Sequence, residues 1–175
     1  MNHRLSASAL ILSVVLTQVH AQDPARNPNK GIAAIRAYEG TWKLHIDTLE
    51  TAHSKAGHED KVLRNDCWGS GSYYACNQYV DGDSKVLLVF TFDADRQAYT
   101  SYQIPLDGSP ASAGRLEIQG NTWSYPWGGA EDGHPVYYRV VNVFKSQALI
   151  EYRKEFSVDK MTWVVLARGS EMKIK

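Results

Sequence analysis

Most of the chain after residue 40 is a succession of short segments in which apolar and polar residues alternate, each followed by a turn. In the first of them Trp42, Leu44 and Ile46 alternate with polar neighbours, which is the pattern of a half-buried strand. Turn sequences such as Gly71-Ser72 separate roughly nine or ten such segments along the chain. Many short strands at even spacing, with almost no helix, indicate an antiparallel sandwich or barrel.

One short helix precedes these strands. Ile32, Ile35 and Tyr38 have helical spacing within residues 31–39, and Gly40 ends the segment. The strands follow one another as consecutive hairpins, and the helix lies where it can close one end of a barrel. We therefore predict an all-β fold, an antiparallel up-and-down β-barrel of about 8–10 strands with one short N-terminal helix.

Both cysteines of the chain lie in the segment NDCWGSGSYYAC, residues 65–76. If Gly71 and Ser72 are the central residues of a type II′ turn, Cys67 lies opposite Cys76 on the paired strand. That pair is a non-hydrogen-bonded one, where Cα atoms approach to about 4.5 Å, within reach of a disulfide. We predict a Cys67–Cys76 disulfide. The alternatives are two free thiols or half of a metal site, but the sequence offers no further soft ligands at finger-like spacing.

The first residues have the layout of an export signal. Arg4 is followed by a mostly apolar stretch over residues 5–18, and Ala21 is a suitable cleavage position. The apolar run is shorter than the roughly 20 residues that span a bilayer, so it does not predict a membrane span. We predict a signal peptide over residues 1–21, a flexible leader over 22–30 and one domain over 31–175, in a periplasmic or secreted protein.

The charge of the chain argues against nucleic acid as a partner. The sequence has 19 basic and 19 acidic residues, so no basic surplus is present. No motif for a cofactor occurs, and we expect none. We predict a monomer or weak dimer whose partner is a small apolar or aromatic molecule.

Several phrases of the sequence resemble those of a known superfamily. Gly40-Thr41-Trp42 after a short helix, within YEGTW, and the phrases LLVFTFDADRQAYTSY and FSVDKMTWVVLARGSEMK resemble the lipocalin-like (calycin) superfamily. They are most similar to small exported bacterial proteins of a domain-of-unknown-function family. The resemblance implies a barrel that binds small apolar molecules inside, although members also bind haem or act as enzymes. It also implies that a basic residue of the last strand, Arg168, packs over Trp42 as a structural pair.

Two groups of residues are candidates for ligand binding. One face of the cysteine hairpin combines aromatic and polar side chains, and it forms a pocket lining if it points inward. If it points outward, Arg64 and Asp66 form a weak surface pair instead. The second group consists of polar residues on apolar strand faces, which need either internal partners or a ligand. The candidates are Arg64, Asp66, Trp68 and Tyr79 on the hairpin, and Tyr138, Asn142 and Tyr152 on two later strands.

No catalytic residue and no metal ligand is predicted. His53 and His58 share a polar segment, residues 53–60, but their spacing fits no common metal motif, and we interpret them as solvated loop residues. No nucleophile motif is present. We therefore expect a binding protein. The alternatives are an enzyme on the same scaffold, using Arg64, Asp66 or a pocket tyrosine, and a module that docks a protein partner. A pocket that holds a carboxylate with a raised pKa beside an arginine or a tyrosine would favour the enzyme.

Overall fold

The computed structural model describes residues 28–175. The predicted signal peptide, residues 1–21, and most of the leader lie outside the described residues. A short helix α1, Pro28–Ala33, continues as a 3-10 helix, Ala34–Tyr38, and ten strands follow. The strands are β1 Gly40–Thr48, β2 Gly57–Ser70, β3 Tyr73–Val80, β4 Asp83–Asp93, β5 Ala98–Pro105, β6 Ser112–Gln119, β7 Thr122–Glu131, β8 His134–Ser146, β9 Leu149–Ser157 and β10 Val164–Lys173.

The ten strands form one closed antiparallel barrel in which each strand pairs with its neighbours in the sequence. The ring closes between β1 and β10, from Trp42 opposite Lys173 to Thr48 opposite Ala167. The predicted fold class, an all-β up-and-down barrel with one short N-terminal helix, is confirmed. Within residues 28–175, no helix combines the length and apolar character needed to cross a membrane.

The cysteine hairpin has the predicted register. Ser70 lies opposite Tyr73, and Cys67 lies opposite Cys76. Gly71, the first central residue of the turn, has a φ of 54°, as a type II′ turn requires of that position. Cys67 and Cys76 form a disulfide with their Cα atoms 4.0 Å apart, so the pairing derived from the sequence is confirmed.

We expect the double variant Cys67→Ser/Cys76→Ser to lower the free energy of unfolding by about 2–3 kcal/mol, because the bond closes a short loop of the unfolded chain. The measurement is urea unfolding of the oxidised protein and the variant side by side. Tryptic mapping without reductant should also recover the linked peptide. Two alkylatable thiols in protein purified without reductant, or equal midpoints for the two chains, would contradict this prediction.

The helical segment closes one end of the barrel. Ile32 and Ile35 are buried among interior side chains of β4 and β7, including Phe90 and Trp123. The chain leaves this plug at Gly40, whose φ of 116° is accessible mainly to glycine. Helix and barrel therefore share one hydrophobic core.

Trp42 lies at the base of this core. It is 0% exposed and packs with Leu63 and Ile150. Its indole Nε1 donates to the carbonyl oxygen of Tyr38 at 3.1 Å, so its polar group is paired. Trp42 thus faces inward, as predicted for the first strand.

The cation above Trp42 is not the predicted one. The β1–β10 register places Lys173 opposite Trp42 and Arg168 opposite Asp47. The Lys173 Nζ atom lies 5.2 Å from the centre of the Trp42 ring, whereas Arg168 is exposed on the outer face. The prediction that Arg168 packs over Trp42 is therefore wrong. Lys173, five residues further along β10, lies opposite Trp42 instead.

Part of the segment predicted as a loop, residues 53–60, is a strand. Residues 57–60 belong to β2 and pair with residues 45–48 of β1, so the loop ends before Gly57. Residues 128–135 form a tight hairpin between β7 and β8, in which Asp132 and Gly133 have φ values of 49° and 78°. Two consecutive positive φ values at Asp-Gly are typical of a type I′ turn.

The barrel wall is incomplete between β6 and β7. Only three pairs join these strands, the last being Glu117 opposite Ser124. Beyond that point β6 pairs with β5 alone and β7 with β8 alone. Pro126 follows the point of separation, and a proline has no N–H group with which to continue a ladder. The two strands therefore diverge and leave a gap in the wall.

Candidate ligand cavity

The barrel encloses a cavity of about 500 Å³. This volume lies within the range of sites for small molecules. The lining is mostly apolar, with Val86, Leu88, Phe90 and Val140 on its walls. Its polar lining residues include Gln78 of β3, Ser101 and Gln103 of β5, and Ser112 and Arg115 of β6.

A cluster of further polar groups lies on the side formed by β7, β8, β9 and β10. Asn142 and Tyr152 face each other in the β8–β9 register, and Tyr125 comes from β7. Tyr38 enters from the 3-10 helix and Glu171 from β10. This cluster therefore contains three phenols, one amide and one carboxyl group.

Two atoms of this cluster lack hydrogen-bond partners among the described residues, Asn142 Oδ1 and Glu171 Oε2. Both residues are almost fully buried, with exposures of 1% and 3%. The Asn142 amide nitrogen contacts the Tyr38 hydroxyl at 3.5 Å, which leaves its oxygen as a free acceptor. Buried polar atoms are almost always paired in native proteins, so two orphans beside one cavity indicate a place for a partner.

Burial controls the ionisation of this cluster. The loss of hydration raises the pKa of Glu171 to about 7, because the charged carboxylate is disfavoured in the interior. Burial, and then the nearby Glu171 carboxylate, raise the pKa of Tyr38, Tyr125 and Tyr152 above that of a free phenol. The tyrosines thus remain neutral hydroxyls, while Glu171 can donate or accept a proton near neutral pH.

The cavity borders the gap in the barrel wall. Gly114 and Arg115 of β6 line it on one side of the gap, and Pro126 and Trp127 of β7 line it on the other. Trp127 is partly exposed and stacks on Tyr138 with the ring centres 5.4 Å apart. The gap between β6 and β7 is therefore a route from solvent to the polar cluster.

The hairpin face named in the sequence points outward. Arg64 forms an exposed ion pair with Asp66 at 3.2 Å, and its guanidinium lies 4.0 Å from the Tyr79 ring centre. Trp68 is 45% exposed. The orientation that the sequence left open is thus the solvent-facing one. The opposite face, with Leu63, points into the barrel.

Of the second group of candidates, two residues line the cavity and one does not. Asn142 and Tyr152 line the cavity. Tyr138 lies beside it, where its hydroxyl donates to Glu131 and its ring contacts Trp127. Glu171 and Tyr38 were not identified from the sequence. Glu171 lies between Ser170 and Met172. The alternation of apolar inward and polar outward residues would place the methionine side chain, and not the carboxyl group, inside the barrel.

The sequence matches no protein-family model and no curated protein. The crystal structure of Rv2717c from M. tuberculosis is similar, with a TM-score of 0.47 and 8% sequence identity. The alignment covers 83% of this chain and 98% of that chain.

Proposed function

We propose that the barrel binds a small molecule with an apolar or aromatic body and at least one hydrogen-bond donor. The observation that carries the proposal is the pair of unpartnered buried atoms, Asn142 Oδ1 and Glu171 Oε2, beside the cavity. An unpaired buried acceptor costs about 1–3 kcal/mol, so a donor on the ligand gains that energy in addition to apolar contacts. The ligand-binding residues of this proposal are Tyr38, Tyr125, Asn142, Tyr152 and Glu171.

The apolar part of the ligand would lie against β4. Leu88 and Phe90 form this wall, and the rings of Tyr125 and Tyr152 stand on the other side. Apolar walls provide most of the binding free energy through the area removed from water. The polar cluster at one side then fixes the orientation of the bound molecule. This arrangement agrees with the ligand class implied by the resemblance to lipocalin-like (calycin) proteins.

Native mass spectrometry of the protein purified from its own host tests both the ligand and the proposed processing. We expect a co-purified molecule with an aromatic or aliphatic body and a donor group. The same spectrum gives the chain mass, and cleavage after Ala21 would leave a chain that starts at Gln22. The disulfide supports export, since such bonds persist in oxidising compartments. A chain that retains residues 1–21 would contradict the proposed processing.

A pair of probes isolates the donor requirement. 1-Aminoanthracene and anthracene have nearly the same apolar body, and only the first carries N–H donors. We expect the ligand-free protein to bind 1-aminoanthracene about tenfold more tightly, since one hydrogen bond to an orphan acceptor contributes about 1.4 kcal/mol. Asn142→Leu, which removes the acceptor at similar volume, should abolish most of this difference. The measurement is fluorescence titration of both probes, with thermal unfolding to verify each variant.

Trp68→Ala is the matched control, because Trp68 lies on the outer face. It should leave the affinity of both probes unchanged. Equal affinities of the two probes for the unmodified protein would contradict the donor requirement. Weaker binding in Trp68→Ala would move the site to the outer hairpin face.

One observation favours a second candidate, an enzyme on the same scaffold. Glu171 has a pKa of about 7 and lies among tyrosines in a cavity, as a general acid or base does. In that case Glu171→Gln would retain binding of the co-purified molecule but lose its conversion. Liquid chromatography of the molecule after incubation with each protein distinguishes the two functions.

A further inference from the structure

Four side chains that can bind metal ions come together on the outer face of β1 and β2. His45 lies opposite Asp60 in the register, and Asp47 lies opposite His58. Residues two apart on a strand share a face, so the four side chains project from the same side of the sheet. They form a compact square, here called the His–Asp square, remote from the cavity inside the barrel.

The His–Asp square is connected by short contacts. His45 Nδ1 lies 3.0 Å from one Asp60 oxygen, and His58 Nε2 lies 3.0 Å from the other. The two imidazole rings are 4.6 Å apart, centre to centre. One donor atom from each of His45, His58 and Asp60 lies within 4.8 Å of the others.

We infer that His45, His58 and Asp60 bind a divalent transition-metal ion of the zinc class. Zinc bonds to nitrogen and oxygen measure about 2.0–2.1 Å, so ligand atoms around a tetrahedral ion are about 3.4 Å apart. The contacts of 3.0 Å between each histidine and Asp60 are close to that spacing. Three protein ligands leave the fourth position to water. Imidazole nitrogens favour zinc, copper and nickel over calcium and magnesium.

Asp47 completes the arrangement as a positioning residue. His58 Nδ1 and Asp47 Oδ1 are 2.8 Å apart, a distance at which the imidazole N–H donates to the carboxylate. With its proton on Nδ1, the neutral His58 ring presents the Nε2 lone pair toward Asp60. A carboxylate behind a ligating histidine fixes the tautomer and the ring orientation, and its loss weakens metal binding.

The site is accessible to an ion from solvent. The side chains of His45, His58 and Asp60 are 52%, 49% and 56% exposed. Arg168 of β10 lies opposite Asp47 in the β1–β10 register.

The test is a titration of the full chain, without an affinity tag, with Zn²⁺ in competition with a chromophoric chelator. We expect one saturable ion per chain, and Co²⁺ should give the visible spectrum of a tetrahedral site. His45→Gln and His58→Gln should each abolish this binding. Asp47→Asn should weaken it about 10–100-fold while the spectrum keeps its shape.

His134→Gln is the matched control, since His134 lies at the β7–β8 turn outside the His–Asp square. It should bind Zn²⁺ like the unmodified chain. Circular dichroism verifies the fold of each variant, and the exposure of the replaced side chains favours correct folding. Absence of saturable Zn²⁺ binding, unchanged binding in His45→Gln or His58→Gln, or equally tight binding of Mg²⁺ would each overturn the inference.

Discussion

Trp42→Ala is expected to lower the free energy of unfolding by about 3–5 kcal/mol, the range for removing a large aromatic side chain from a core. Trp42 is completely buried, and the 3-10 helix lies against it through the hydrogen bond to Tyr38. Removing the indole leaves a cavity between Leu63 and Ile150 and removes one of the two hydrogen bonds to the Tyr38 carbonyl oxygen, the other coming from the Asn65 amide at 3.0 Å. The expected decrease in the free energy of unfolding therefore includes both lost packing and a lost hydrogen bond.

Lys43→Ala is the control for this result. Lys43 is the next residue of β1 and is exposed on the outer face, so its replacement should cost less than about 0.5 kcal/mol. Both variants are unfolded in urea under non-reducing conditions, so that the disulfide remains intact. Similar small losses for the two variants would show that Trp42 does not support the base of the barrel.

Glu171→Gln is expected to raise the free energy of unfolding of the ligand-free protein, and this gain should be about 3 kcal/mol larger at pH 8 than at pH 4. The folded-state pKa of Glu171 is about 7, against an ordinary value of 4.5. At a pH between these two pKa values, Glu171 is protonated in the folded chain but ionised in the unfolded chain. The free energy of unfolding of the unmodified protein therefore falls as the pH rises. Above pH 7 the full penalty applies, at about 1.4 kcal/mol for each pKa unit. Glutamine carries no such charge.

The measurement is the urea midpoint of both proteins at pH 4, 6 and 8. The difference between them should grow over this range and then level off. Glu151→Gln, on the exposed face of the neighbouring strand, should show the same small difference at each pH. A constant difference for Glu171→Gln would mean that this carboxyl group has a hydrogen-bond donor or solvent beside it in solution.

The fold was predictable because its signals are local. Alternation on the strands, the turn at Gly71-Ser72 and the spacing of Cys67 and Cys76 each specify neighbouring pairs, and an up-and-down barrel consists of such pairs. The strand start at Gly57 was missed because His58 and the residues after it are polar on both faces. A segment without an apolar face has no period by which to recognise a strand.

The candidate site was predicted only in part. Asn142 and Tyr152 were identifiable because each is polar on an otherwise apolar strand face. Glu171 was not, because an acid points inward while Met172 beside it is exposed, which reverses the usual pattern. The position of Arg168 depends on the β1–β10 register, and no turn joins those strands to fix it. Long-range registers are therefore where reasoning from the sequence fails here.

The pairing of β1 with β10 has a consequence for how each molecule folds. It joins Trp42 to Lys173, so the ring closes only when nearly the whole chain is present. Contacts so distant in sequence form slowly, and until they do β1 and β9 each present an open row of N–H and C=O groups. Such edges pair readily with other chains. Arrival of β10 thus converts an association-prone sheet into a closed wall without open edges, and proteolytic loss of that strand would reverse the change.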